Sequence, residues 1–278
     1  MPDAPSTSRR PGGVSAHEIA ARLDHARRIA REAGEGTLRY FQTSDLGTEH
    51  KGDGSPVTRA DREAELFLRE ACRSAFPDDA FIGEEFGELP GASGWTWIVD
   101  PIDGTQSFVS GVPLFGTMIA CVWQGRARAG VVYLPGLGEC VSAGEGLGCL
   151  WERTGREPVP ARVRACERLS DAMFLTTSPE YFHQTGTRPV FDRLERAAGR
   201  TRGWSDCYAY VLLATGRADA IAEPLMKVWD KAALQVIVEE AGGVFTNWSG
   251  ERTLEGAGAI ACSPALLAET LRVISHGA

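Results

Sequence analysis

The stretch WTWIVDPIDGTQSF, residues 95–108, constrains this chain more than any other. It reads as an apolar strand bound for the core that ends in two aspartates, Asp100 and Asp103, with only Pro101 and Ile102 between them. Two carboxylates about 5 Å apart repel by roughly 3 kcal/mol at an effective dielectric near 20. Burial makes the pair costlier still unless something compensates it. Any fold this chain adopts must therefore bring a compensating group to the end of that strand.

The rest of the pattern predicts layers of helix and sheet. Apolar residues recur at helical spacing from Ala16 to Phe41 (Ile19, Leu23, Ala26, Ile29, Ala30, Ala33), giving an amphipathic helix. A second helix starts near Thr58 and is closed by Pro77, and AFIGEEFGE reads as a strand running into an acidic loop. After residue 95 come strand-like runs separated by Gly-rich turns, as in an antiparallel meander. In the second half strands alternate with helices, the last helix with Ser263 as N-cap and Pro264 in its first turn. The expected fold class is α/β, with an α+β first half. The expected organisation is a disordered leader, 1–15, an α+β half, 16–154, and an α/β half, 155–278. No internal repeat is evident.

Composition narrows the function. A net charge of −8 and a pI near 5.3 argue against nucleic-acid or membrane-surface binding. The seven cysteines are scattered, odd in number and without a C-x-x-C, which fits a reducing compartment rather than a disulfide framework or zinc site. No apolar run is long enough to span a bilayer, and no apolar segment follows Arg9-Arg10, so a cytoplasmic location is expected.

Acidic residues stand at the ends of predicted elements: Asp61, Glu84 with Glu85, Asp100 with Asp103, and Asp230. Each has an ordinary reading. Thr58 and Asp61 resemble a capping box, Asp230 a helix cap, and Glu84 and Glu85 solvated loop acids. The pair at the end of the apolar strand resists such a reading. Carboxylates, a backbone carbonyl and a hydroxyl are hard oxygen ligands of the kind Mg²⁺ prefers, and none of the five histidines falls in these segments. In DGTQSF, Gly104 permits close backbone approach, and the N–H groups of Thr105 and Gln106 open a helix able to hold a phosphate. Metal-binding acids beside such a turn point to phosphate-ester chemistry.

WIVDPIDGTQSF and VWDKAALQVIVEEAGG resemble the two signatures of the inositol monophosphatase superfamily, with PVTRADREAE and FIGEE in the expected order ahead of them. Together these segments extend over nearly all the chain after the leader. The resemblance implies a layered αβαβα sandwich, a homodimer and Mg²⁺. It places Glu84, Asp100, the Ile102 carbonyl, Asp103, Thr105 and Asp230 around the metals, with Glu84 also counted among the catalytic groups. Asp61 and Thr105 would orient and deprotonate the attacking water, the N–H groups of Gly104, Thr105 and Gln106 would hold phosphate, and Lys51 would lie at the mouth of the site.

For the alcohol, TRGWSDCYAYVLLATGRADAIAEPLMKVWD resembles the histidinol-phosphate phosphatase branch. On that resemblance Asp206 and Glu223 pair with a cationic substrate, L-histidinol phosphate, and Arg202 and Trp204 line the same pocket. Asp206 as a plain helix cap and Glu223 as a strand-end surface residue are the competing readings. Gln106, where that branch commonly has a basic residue, and Trp204 depart from its pattern and leave open another amine-bearing phosphate, such as an aminocyclitol or amino-sugar phosphate. An inositol phosphate or another polyol phosphate is the alternative substrate. From a different class, the chain would be an inactive phosphate-ligand sensor, whose mark would be loss of a metal acid; none is lost.

Overall fold

The computed structural model describes residues 13–52, 54–204 and 206–275. The expected leader lies almost wholly outside the described residues. The chain runs α1 (Ala16–Thr37), β1 (Glu49–His50), β2 (Pro56–Val57), α2 (Arg59–Ala75), β3 (Ala80–Gly83), β4 (Gly87–Leu89), β5 (Trp95–Asp103) and α3 (Thr105–Val109). It continues β6 (Gly116–Trp123), β7 (Arg126–Leu134), β8 (Glu139–Gly144), β9 (Gly148–Arg153), β10 (Arg156–Pro160), β11 (Met173–Leu175), α4 (Pro179–Gln184) and α5 (Arg188–Ala197). The last elements are β12 (Arg200–Arg202), α6 (Asp206–Ala214), β13 (Ala220–Glu223), α7 (Val228–Glu240), β14 (Val244–Thr246), β15 (Ala259–Cys262) and α8 (Leu267–Ser275).

Eight strands form one sheet in the order β10-β9-β8-β7-β6-β5-β3-β4, and five form another in the order β12-β11-β13-β15-β14. From β5 to β10 the first sheet is the expected antiparallel meander, while β3 lies parallel to β5. One face of it packs on α1 and α2 through Ile29, Leu68, Trp97 and Val131. The other face packs on α6 and α7, whose far side meets the second sheet through Leu175, Ile221 and Phe245. The outer face of that second sheet is covered by α4, α5 and α8 through Phe174, Phe182, Phe191 and Ile274. This is the five-layer αβαβα sandwich. α7 is sealed on both sides, so its residues 231–238 are all buried and it lacks the polar stripe of a surface helix.

The sequence expectations need local corrections. α1 ends at Thr37, with Leu38 to Gln42 in turns rather than helix. The division expected at 154/155 falls in the turn of the β9–β10 hairpin, and the first sheet keeps its strand through Pro160. Ser263 makes no cap hydrogen bond to a helix. Its hydroxyl accepts Cys166 N–H (3.4 Å), and a 3₁₀ turn, Pro264–Leu266, precedes α8.

Candidate active site

The strand β5 does not stop at Asp100 but continues to Asp103 through an irregularity. Asp100 pairs with Met118 and Asp103 with Gly116, so three steps on β5 match two on β6. In a regular strand, residues three apart point to opposite faces. One extra residue, a β-bulge, brings them back to the same side. Pro101, which has no N–H to donate to the ladder, sits inside it. Ile102 N–H turns back onto Asp100 Oδ1 (3.1 Å), and Pro101 O accepts the Thr117 hydroxyl (2.9 Å). The neighbouring strand β3 pairs Gly83 with Val99, which brings the following residue, Glu84, alongside Asp100.

Asp230 arrives from the other half of the chain, in the first turn of α7, where its Oδ2 accepts Lys227 N–H (2.6 Å). Its capping role is therefore real, and one carboxylate does both jobs. Asp100, Asp103 and Asp230 each present an oxygen within 4.8 Å of the others. Burial, then Glu84, Asp103 and Asp230, push the Asp100 carboxyl well above its usual range. Burial and then Asp206 and Asp230 do the same to Asp103, against the Cys207 hydrogen bond that favours its charged form. Asp230 is pushed up to about 7, chiefly by burial, with Glu84 and Asp206 adding to it. Asp103 Oδ2 accepts Cys207 N–H (2.5 Å) at the start of α6.

Lys51 pairs with Glu84 (2.5 Å) and Glu85 (2.8 Å) rather than with the aspartates. Burial disfavours its ammonium, but the two carboxylates outweigh that and raise its pKa. The buried Glu65, unmarked in the sequence, accepts Glu85 N–H (2.7 Å) and Phe86 N–H (2.9 Å) and so fixes the turn that carries Glu84.

Asp61 also fills two roles. Its Oδ2 accepts Thr58 N–H (2.8 Å) and the Thr58 hydroxyl (2.5 Å), completing the capping box of α2. Its Oδ1 faces the Thr105 hydroxyl at 3.3 Å, and that hydroxyl is 2.9 Å from the Ile102 carbonyl. Burial drives the Asp61 carboxyl up to about 6 against the two Thr58 bonds. Gly104 precedes α3 in the left-handed region (φ +88°). A Cβ there would meet the Leu114 carbonyl at 3.0 Å and Asp206 Oδ2 at 3.1 Å. Ile102, Phe108 and Phe115 pack beneath this turn, the two rings edge to face at 4.9 Å.

Around Gly104 the second half contributes more acids. Asp206 opens α6 with a positive φ (+53°), and its N–H donates to the Thr177 hydroxyl (3.1 Å). Glu223 is not a surface residue. It is 2% exposed and accepts Thr177 N–H (2.6 Å) and the Thr176 hydroxyl (3.2 Å). Burial pushes its carboxyl up to about 8 despite those bonds. Tyr181, in α4, also feels Asp206, Glu223, Asp103 and Asp230, and burial followed by those charges pushes its hydroxyl up to about 12. Neither Thr177 nor Tyr181 was singled out in the sequence, since only the fold brings the β11–α4 turn to the acids.

The other expected substrate residues are less engaged. Gln106 is exposed, its amide donating to the hydroxyl of Ser110 (3.3 Å), the C-cap of its own helix. Arg202, also exposed, donates to the adjacent Thr201 carbonyl (2.7 Å), and Trp204 is 38% exposed. Neither donates a hydrogen bond to any of these acids among the described residues.

Carboxylates so close, nearly buried and supplied only with oxygen donors fit a hard divalent cation. Asp100, Asp103 and Asp230 would hold it, with Glu84 beside them.

Comparison with known proteins agrees. The model of the inositol monophosphatase family matches residues 19–276. A histidinol-phosphatase of Chlorobaculum parvum is 39% identical over 256 residues, covering 92% of this chain and 97% of that protein. One of Mycobacterium tuberculosis is 36% identical over 249 residues, covering 90% and 96%. Among solved structures, an inositol monophosphatase from Zymomonas mobilis superposes with a TM-score of 0.81 at 33% identity, covering 94% of this chain and 99% of that one. With the match to its model spanning nearly the whole sandwich, this chain belongs to the inositol monophosphatase family and is a phosphatase.

Proposed function

We propose that this phosphatase hydrolyses L-histidinol phosphate to L-histidinol and phosphate with Mg²⁺. The observation that carries the substrate is Asp206, whose carboxylate overhangs Gly104, the turn assigned to the phosphate. An anion so close to a phosphate disfavours a neutral alcohol and favours one that brings its own ammonium or imidazolium. The relatives named as histidinol-phosphatases support the same reading.

In this mechanism Asp100, Asp103, Asp230 and Glu84 would hold the metal, with the Ile102 carbonyl and the Thr105 hydroxyl as further oxygen donors. A Mg²⁺ held by them would supply positive charge to the site and acidify water. The N–H groups of Gly104, Thr105 and Gln106 orient the phosphate. The Thr105 hydroxyl orients a water for in-line attack and passes its proton to Asp61 Oδ1, 3.3 Å away. At pH 7 a carboxylate titrating near 6 is mostly ionised and basic enough to accept it. A phosphorus–oxygen bond to water forms, the bond to the alcohol breaks, and the released alkoxide takes a proton from solvent. Glu223 and Asp206 face the alcohol, Arg202 and Trp204 rim the approach, and Lys51 steadies Glu84 at the mouth.

The test is phosphate release with Mg²⁺ from L-histidinol phosphate, myo-inositol 1-phosphate and an amino-sugar phosphate. Preference for histidinol phosphate is expected. Preference for either of the others removes this substrate and leaves the hydrolytic site standing. The inositol phosphate reading has the Zymomonas mobilis neighbour in its favour. Ligand binding without turnover would instead mark a sensor. A cytoplasmic location fits the seven free, buried thiols. A homodimer, carried by the family resemblance, would show in light scattering as twice the 29.9 kDa chain mass.

A further inference from the structure

Two acids proposed to meet the alcohol, Glu223 and Asp206, come from different elements, one at the end of β13 and one at the start of α6. Thr177 stands between them. Its N–H donates to Glu223 Oε1 (2.6 Å), and its hydroxyl accepts Asp206 N–H (3.1 Å). The hydroxyl proton remains for Glu223, to which the Thr177 side chain also bonds. Neighbouring Thr176 holds the second oxygen of Glu223 at 3.2 Å.

The Asp206 bond matters because of the backbone it holds. A φ of +53° is uncommon outside glycine and tolerated best by Asn and Asp. It persists only where the surroundings impose it. That conformation sets the Asp206 carboxylate over Gly104 and, one residue on, delivers Cys207 N–H to Asp103 Oδ2 (2.5 Å). On the far side of the turn, Ser178 caps α4 by accepting Glu180 N–H (3.1 Å), and Phe182 is locked in the core against Phe191 and Trp248. The turn bearing Thr177 is thus anchored independently of the acids it spaces.

We propose that Thr177 is a positioning residue for substrate choice, its hydroxyl fixing Asp206 relative to Glu223 so that the pair accepts one class of alcohol. This deepens the phosphatase reading above and rests on its placing these two acids at the alcohol. Thr177 itself need not touch substrate or metal; it acts through the two carboxylates.

The experiment measures kcat and KM for wild type, Thr177→Val and Thr177→Ser at saturating Mg²⁺, on the same three phosphates. Thr177→Val keeps the shape and removes the hydroxyl. We expect kcat/KM for the preferred phosphate to fall about tenfold to a hundredfold, as for loss of a hydrogen bond in a charged site, with much smaller losses on the other two. Most of the fall should lie in KM. Thr177→Ser should restore the preference. If Thr177→Val does not fold by circular dichroism, Thr177→Ala reads the same loss without a branched side chain to accommodate. Equal losses on all three phosphates, no loss, or failure of Thr177→Ser to restore the preference would each overturn the proposal. The substrate reading is judged separately, on wild type alone: a preference for inositol phosphate removes histidinol phosphate, yet the Val–Ser contrast still tests Thr177.

Discussion

Single carboxylates in this protein serve the fold and the chemistry together. One oxygen of Asp61 caps α2 while the other faces Thr105, and Asp230 closes the first turn of α7 while reaching the aspartates of β5. Choosing between cap and active-site acid from the sequence therefore posed a false alternative. Asp100 has no helix to cap, so its substitution gives the cleanest test. Asp100→Asn should cut metal-dependent phosphate release by at least about two orders of magnitude. It should also leave a folded protein that melts no lower than wild type without metal, because one of several repelling buried charges is gone. Retained turnover would remove Asp100 from the metal site. Asp206→Asn should reduce kcat/KM for histidinol phosphate far more than for inositol phosphate, and equal losses would return Asp206 to the service of α6 alone. The acids were legible because carboxylates at the ends of apolar runs are costly and need a reason. Thr177, Tyr181 and Glu65 were not, since a lone hydroxyl or acid acquires a role only from what the fold sets beside it.

At the scale of elements, the site is as accurate as the placement of α7, which carries Asp230 across the first sheet. The helix sits directly on Gly130 of β7, where a Cβ would come within 2.5 Å of the Ala233 carbonyl and 2.7 Å of Val236. Backbone cannot yield there as a flexible side chain would. Gly130→Val should cost about 1–3 kcal/mol in denaturant unfolding. It should also raise the Mg²⁺ concentration for half-maximal activity, because Asp230 moves with its helix. A loss of stability with unchanged metal demand would show that α7 absorbs the residue without shifting its first turn. The existence of this helix and of the meander was readable from periodicity and Gly-rich turns. The bulge that puts Asp100 and Asp103 on one side was not, because strand spacing alone sends residues three apart to opposite faces. At the last helix Ser263 stands at the N-cap position and Pro264 in the first turn, as the sequence suggests, but that turn is 3₁₀ and the Ser263 hydroxyl is spent on Cys166, a contact between distant segments.

For the whole molecule, joining two sheets around one acidic site has a cost that depends on pH and metal. Asp61, Asp230 and Glu223 titrate near 6, 7 and 8 in the folded chain, each raised first of all by burial, whereas unfolded carboxyls titrate near 4. Below pH 4 the acids are protonated in both states and cost nothing. As pH rises from about 4, the unfolded chain releases these protons before the folded one can. The metal-free protein therefore loses stability progressively through about pH 8, where Glu223, the highest of the three, is half ionised. A divalent cation bound only by the folded state works against that loss, and it competes with fewer protons as pH rises. Melting in EDTA should accordingly give a lower Tm at pH 8 than at pH 5. The Tm gained on adding Mg²⁺ should be larger at pH 8 than at pH 5, and Asp100→Asn should shrink the gain at pH 8. A gain that is the same at both pH values, or undiminished in Asp100→Asn, would mean that the cation binds away from these carboxylates and that their repulsion is relieved some other way.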